Sequence, residues 1–379
     1  MVALIAARLE ASQRSRDDVQ LNRVAMVGTR GILSVKRISY VGVGAVVVVA
    51  ILVLLNVWQG DVSVRWKEPV TRTTKRRLQF QPPFVYTSPA TSVVGKPFNV
   101  SMKTVQSLHL EPKSYTTLTA ANAERIVVVT GASSNHFVES KAMIKSVQKY
   151  MPDRPIIYYD LGLTKSQASE VRSWCSVKLR KFGNSAYPTY VTKHLRCYAF
   201  KLLIIEEILR EFPGLMWLDA SVRLVGSNFS AAFAKAVEND GFEIINMGKN
   251  AIFTVTHPAL YEFLPTNVQR LKHTHIMASG FMLIYNTYAT FSNILRWMYL
   301  CALDARCAEP TKSLHCDFAN GNRREKWANC HRYDQSIVNL LAVNLWNFDT
   351  NSYHVDGLPF EIHRGKGRVT VTVRKCGFV

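Results

Sequence analysis

Hydrophobic and polar positions along the chain fall into three regimes. Residues 38–58, ISYVGVGAVVVVAILVLLNVW, carry no charge and no polar stripe at 3.6 spacing, which a soluble helix would show. The run is long enough to cross roughly 30 Å of hydrocarbon as a helix, with Tyr40 and Trp58 where interfacial aromatics sit. Residues 59–123 follow with Pro69, Pro82, Pro83, Pro89, Pro97 and Pro112 among Thr, Ser and Val and no sustained period, the pattern of an extended stem. From Glu124 the texture changes: RIVVVT reads as a buried strand, Val138, Ala142 and Val147 are spaced for a helix reaching Tyr150, and PIIYYD reads as a second strand. A helix near residues 165–174, a strand at VKLRKF and a long amphipathic helix over residues 193–212 come next, the last stopped by Pro213-Gly214. LMWLDASVRL, FEIINM and FMLIYNT then read as strands, followed by a helix through Met298, a cysteine-rich loop and a last helix at DQSIVNLLAVN. Strands alternating with helices predict an α/β domain with a mostly parallel sheet covered on both faces, whose ligands sit at the carboxyl ends of the strands.

This pattern divides the chain into a tail (1–37), a signal anchor (38–58), a stem (59–123) and a folded domain (124–379). A cleaved leader does not fit, because the apolar run and the basic region ahead of it are both too long. Basic residues flank the span on both sides, Arg23, Arg30, Lys36 and Arg37 before it and Arg65, Lys67, Arg72, Lys75, Arg76 and Arg77 after it, so the charge rule does not decide orientation. Two sequons, at Asn99 and Asn228, are usable only if the C-terminal portion is lumenal. All seven cysteines follow the span, and Cys301, Cys307, Cys316 and Cys330 crowd together. In an oxidising compartment they predict a disulfide-pinned loop; His315 and His331 leave zinc as the competing reading, and the odd count leaves one thiol over, expected at Cys197.

The formal net charge of +20 raises nucleic acid as a partner, but the bases are dispersed, no nucleic-acid motif is present and an anchor precedes everything. The picture is a solvated basic surface with room for an anionic diphosphate. VVVTGASSNHF, residues 127–137, superficially suggests a dehydrogenase turn; Asn135 and Phe137 stand where two further glycines are needed, and no tyrosine has a lysine four residues on.

The order of motifs is more informative. The segment 126–135, then LMWLDASV (215–222), ASGFMLIYNT (278–287), YDQSIVN (333–339) and HRGKG (363–367) resembles the nucleotide-sugar-dependent glycosyltransferases of the GT-A fold, with greatest similarity to the glycogenin and galactosyltransferase-like group and adjacent animal type II membrane proteins. The resemblance covers residues 124–379. It implies a Rossmann-like domain on a single-pass type II Golgi or ER membrane anchor, moving a sugar from a UDP-sugar to a glycan or glycoprotein acceptor. The same fold kept without turnover, as a lumenal binding or scaffold protein, is the alternative.

Such a transfer must neutralise a departing diphosphate, by a divalent metal or by fixed cations and dipoles. Asp219 follows an apolar strand, so its carboxylate emerges at the strand's end, either as a ligand or as a cap for the residues after it. The family's Asp-x-Asp is incomplete here, Asp219-Ala220-Ser221, while its later histidine ligand matches His363. Asp219 and His363 with Mn or Mg is one expectation, and a basic tail of Arg364, Lys366 and Arg368 taking over the charge is the other. Thr130, Gly131, Ala132 and Asn135 offer a loop to base and ribose, and Asp160 either accepts from them or caps its own turn. The resemblance implies that Lys201 faces the phosphates, that Ser279 and Gly280 let backbone approach the sugar, and that Asp334 and Gln335 contact acceptor or sugar. Asp334, which could instead cap the last helix, is the candidate general base.

Overall fold

The computed structural model describes residues 83–376 apart from 90, 109, 111, 113, 246, 319, 320 and 365–370. The expected membrane span therefore lies outside the described residues; among these, no helix is long and apolar enough to cross a membrane.

Five of the six strands of the central sheet are parallel. The six are β1 (Val127–Ala132), β2 (Ile156–Asp160), β3 (Val177–Lys181), β4 (Gly214–Leu218), β6 (Phe242–Ile244) and β9 (Phe281–Tyr285); β5 (Val222–Leu224) is separate from the sheet, as are β7 (Met247–Ala251) and β8 (His275–Met277), which pair with each other. The order across the sheet is β3-β2-β1-β4-β9-β6, and β9 alone runs against its neighbours. The two-residue alternation of strands sorts side chains into two cores. Val127, Val129, Ile157, Tyr159, Leu215 and Trp217 join one; Val128, Ile156, Tyr158, Met216 and Leu218 join the other. The first core is closed by α3 (Ala199–Leu209), α5 (Arg296–Leu303) and α6 (Asp334–Leu345), the second by α1 (Phe137–Tyr150) and α4 (Ser230–Glu238). The short α2 (Lys165–Arg172), between β2 and β3, opens on a capping box in which Thr164 and Gln167 bond reciprocally. The predicted α/β architecture with both faces covered is therefore what forms.

Two predicted helices differ from expectation. The buried face of α1 is Phe137, Ser140, Met143, Ile144 and Val147, while Val138 is 52% exposed. Residues 193–212 are not one helix: a 3-10 turn ends at Tyr198, whose φ of 55° is left-handed, and α3 starts after it. Nor is α3 amphipathic. It is wedged between sheet and helices, and every residue except Glu207 is buried.

The folded unit also begins ahead of Glu124. Phe84, Val100, Val105, Leu108 and Leu110 are buried in the first core, Phe84 meets the Trp297 ring edge-on at 5.3 Å, and Gly95 donates to the Phe84 carbonyl at the base of a hairpin (Val85–Thr87 with Ser92–Val94). This part of the expected stem is core, because scattered apolar residues need no periodicity when they fill gaps one at a time.

The cysteines form Cys175–Cys376, Cys301–Cys307 and Cys316–Cys330, with Cys197 free and buried. The cluster is thus disulfide-bonded rather than arranged for zinc, and the leftover thiol is the expected one. Both sequon asparagines, Asn99 and Asn228, are exposed.

Glu243 on β6 is buried; one oxygen accepts from Asn239 Nδ2 at 3.1 Å, and the other has no partner among the described residues. Burial pushes its pKa up to about 9 against the opposing pull of Lys235. A carboxyl that holds its proton more tightly when folded costs stability as pH rises from its unfolded value, about 4.5, toward 9, and no further above that. Glu243→Gln is therefore expected to raise unfolding stability at pH 9 by on the order of 1–3 kcal/mol and to leave it unchanged at pH 4. Urea unfolding at the two pH values measures this; an equal gain at both would mean that packing, not the proton, is responsible.

Candidate functional site

Parallel strands deliver their carboxyl ends to one edge of the sheet, and β9, running the other way, delivers its beginning there. Asp219 leaves the end of β4 and Ser279-Gly280 precede β9, so the two loops meet: the Asp219 amide donates to the Gly280 carbonyl at 2.8 Å. Gly280 is glycine for a local reason, since a Cβ there would lie 3.2 Å from Asp219 Oδ2. From the first core, α3 and α6 add Lys201 and Asp334.

These side chains form one charged cluster. Lys201 is 2% exposed, and its Nζ lies 3.0 Å from Asp219 Oδ1 and 2.7 Å from Asp334 Oδ2. It also donates to the Ser279 carbonyl at 3.2 Å, so all three ammonium protons have acceptors. Ser279 Oγ donates to Asp334 Oδ2 and Trp217 Nε1 to Asp219 Oδ1, both at 2.7 Å. Burial alone would strip Lys201 of its proton; Asp219 and then Asp334 overcome it, and the ammonium is held above its ordinary pKa. Burial pushes the Asp334 carboxyl up while Lys201 holds it down. The net direction for Asp334 is upward, burial outweighing Lys201, while Lys201 is held as the ammonium between the two carboxyl groups.

Two tyrosines in left-handed backbone flank the cluster. Tyr198 (φ 55°) sits three residues before Lys201 and Tyr333 (φ 45°) one residue before Asp334, with their rings 6.5 Å apart. A β-carbon in that conformation is strained, and such strain persists only where packing over-determines it. The Lys201 ammonium lies 5.7 Å from the Tyr198 ring centre and 5.5 Å from that of Trp217, within cation–π range.

Other expected site residues take different roles. Thr130 is fully buried and donates to the Leu218 carbonyl, and Ala132 is 2% exposed, so both are core; the strand register points them inward. Gly131 faces the Leu161 side chain, which a Cβ would meet at 3.1 Å. Asn135 is exposed on the loop after β1, where it accepts from Ser133 Oγ. Asp160 Oδ1 accepts from the Gly162 and Leu163 amides, so it caps its own turn. Gln335 does not project as a contact for sugar through its amide nitrogen, which donates to the Met277 carbonyl at 2.9 Å; with Asn339 it holds the strand His275–Met277 that leads into Ser279. Lys366 lies outside the described residues.

His363 is brought beside the Asp219 loop through its backbone. The strand β10 (Phe360–Ile362) pairs with β5, and the next amide, of His363, donates to the Ser221 carbonyl at 2.8 Å. Its imidazole, however, is exposed and bonded to Glu361 Oε2 at 2.7 Å. The expected metal ligands are not gathered as a donor set: Asp219 and His363 each bond to another partner, while Asp219 Oδ2 is left without a bond among the described residues. Asp219 Oδ1 is committed to Lys201 and Trp217, Asp334 Oδ2 to Lys201 and Ser279, the His363 ring to Glu361, and Ser221 is neutral. Among the described residues no three His, Cys, Asp or Glu side chains are grouped to hold an ion. Lys201, expected to face phosphate, is instead saturated inside the cluster.

Trp217, Tyr198 and Arg332 escaped the sequence reading. Trp217 could have been found two residues before Asp219 on the same strand face, and Arg332 directly before the YDQ segment; nothing local marks Tyr198.

A family model described as "Protein of unknown function (DUF1647)" matches residues 73–206. No curated protein matches. Similar solved structures include the galactosyltransferase LgtC in complex with donor and acceptor sugar analogues, at 13% identity over 63% of this chain and 87% of that one, TM-score 0.38. Core-mannan synthase A of Aspergillus fumigatus, in its Mn/GDP form, is similar at 10% identity over 60% of this chain and 78% of its own, TM-score 0.34. Mouse xyloside xylosyltransferase 1, in its apo form, is similar at 10% identity over 61% and 84%, TM-score 0.35.

Proposed function

We propose that this chain is a glycosyltransferase of GT-A type, moving a sugar from a UDP-sugar to a glycan or glycoprotein acceptor, and that it acts in the Golgi or ER lumen from a type II anchor at residues 38–58. The observation that carries the reading is the meeting of Asp219, Ser279-Gly280, Asp334 and Lys201 at the carboxyl edge of a parallel sheet, in the motif order of such enzymes. That edge is where an α/β sheet receives ligands.

The chemistry follows from which atoms remain free. Lys201 locks the two carboxylates in one geometry and makes no contact outside the cluster. Asp219 Oδ1 is spoken for, and its side chain is still 35% exposed. Oδ2 is thus the oxygen available to accept from a sugar hydroxyl. The backbone of Ser279-Gly280 lines the approach without a side chain at Gly280 to block it. Asp334, 4% exposed, orients Lys201 and Ser279 rather than reaching solvent.

Asp219→Asn is expected to lower UDP release from UDP-sugars by about a hundredfold while the chain still folds, because a preorganised charge at the reacting centre is lost. Unchanged release would remove this carboxylate from the mechanism. The burial of Asp334 favours one other reading, a lumenal protein that binds nucleotide sugar and does not turn it over. UDP binding with no release across UDP-sugars and acceptors would establish that alternative, and absence of UDP binding would overturn both.

A further inference from the structure

Resting on the proposed use of a nucleoside diphosphate donor, we propose that Arg332 and Arg364 form a built-in diphosphate clamp at this site, so that the nucleotide is held by two fixed guanidiniums and not through a divalent cation.

The first support is position. Arg332 stands two residues before Asp334, at the positive end of α6, and its backbone is pinned there because its amide donates to the Val255 carbonyl. Arg364 follows His363, whose amide is bonded to Ser221, two residues past Asp219. One arginine therefore arrives with each of the two carboxylates.

The second is the company they keep. Arg332 is half-buried, and it lies close enough to Arg364 and to Tyr198 to feel the charge of both. Tyr198 in turn feels Asp334, Lys201, Asp219 and Arg364. The Tyr198 ring lies 5.7 Å from the Lys201 ammonium and 6.5 Å from the ring of Tyr333, the residue between Arg332 and Asp334. Among the described residues neither guanidinium has a carboxylate partner. Burial first, and the charge of Arg364 second, push Arg332 below its ordinary pKa. Like charges brought together without a counter-ion are stabilised when an anion arrives. A guanidinium offers planar, paired donors to phosphate oxygens.

The third is elimination within the site. Lys201 has no proton left to give a phosphate, and of the side chains expected to hold a metal, Asp219 Oδ1 is bonded to Lys201 and Trp217 and the His363 ring to Glu361. A side chain that brings positive charge to the diphosphate must then be other than Lys201, and Arg332 and Arg364 arrive beside the two carboxylates.

The test is calorimetric titration of the full chain with UDP, first in EDTA and then with added Mn2+. The expected result is binding in EDTA, changed by no more than about twofold by Mn2+. Arg364→Gln, at an exposed position, and Arg332→Gln should each weaken it about tenfold, with a shallower dependence on salt. Circular dichroism and melting confirm that the variants fold; should Arg332→Gln unfold, Arg364→Gln decides alone. Binding that appears only with Mn2+, or full affinity in the folded variants, overturns the clamp and leaves the glycosyltransferase reading intact. No UDP binding under either condition overturns both.

Discussion

Lys201→Met is expected to destabilise the protein by about 3–5 kcal/mol and to abolish turnover, the largest single effect in the molecule. The ammonium is buried, and Asp334 beside it is 4% exposed. Without it Asp334 loses its charge partner and keeps one hydroxyl, from Ser279, while Asp219 keeps the Trp217 indole and some solvent. A buried carboxyl is then left without its cation beside a second acidic group. Methionine fills the same volume, so the loss reports charge rather than a cavity. Pairing Lys201→Met with Asp334→Asn should recover much of the stability, because the uncompensated carboxylate is gone, yet recover no turnover. Urea unfolding of the single and double variants measures this; a double variant as unstable as the single one would show that Lys201 acts by packing alone.

Breaking the Cys175–Cys376 bridge is expected to have a comparable effect by a different route. The bond closes a loop across a sequence separation of 201, and chain-entropy arguments give about 5 kcal/mol for loops of this size. In the folded state the tail has other attachments. Cys175 donates to the Arg374 carbonyl, Cys376 to the Ser173 carbonyl, Gln148 accepts from the Arg374 amide, and Val373 is buried. Cys175→Ser with Cys376→Ser should therefore leave the folded structure and its amide protection near the tail largely intact, while the unfolding midpoint falls sharply. A short bridge such as Cys301–Cys307, separated by 6 residues, should matter less by this measure. Equal losses from removing either bridge would contradict the entropic account.

The sheet was legible in the sequence because β1, β2, β4 and β9 are buried on both faces and read as apolar runs bounded by turn residues. α3 was misread for the same reason: a helix enclosed all round has no polar face to reveal its period, and Lys201 and Glu206 look like a solvated side when they are interior. Motif order found Asp219, Lys201, Ser279, Gly280 and Asp334, since each ends or begins an element at the same sheet edge. It failed for Thr130 and Ala132, where one residue of register decides between loop and core. It failed also for the ion pairing, because which cation meets which carboxylate depends on side-chain reach across 78 residues between Lys201 and Ser279 and more beyond. Arg332 and Tyr198 carry no pattern of their own; only the fold sets them beside the acid cluster.

The segment that packs Phe84 against Trp297 sets where this protein can be cut. The Phe84 ring closes one side of the helix that carries Cys301, and the chain between it and β1 lays Val105, Leu108 and Leu110 over the same core. A shortened form, made by a protease or by design, keeps that core whole only where the cut falls upstream of Phe84. A cut at the first sheet strand would lay bare a greasy flank and turn the folded domain into a sticky one.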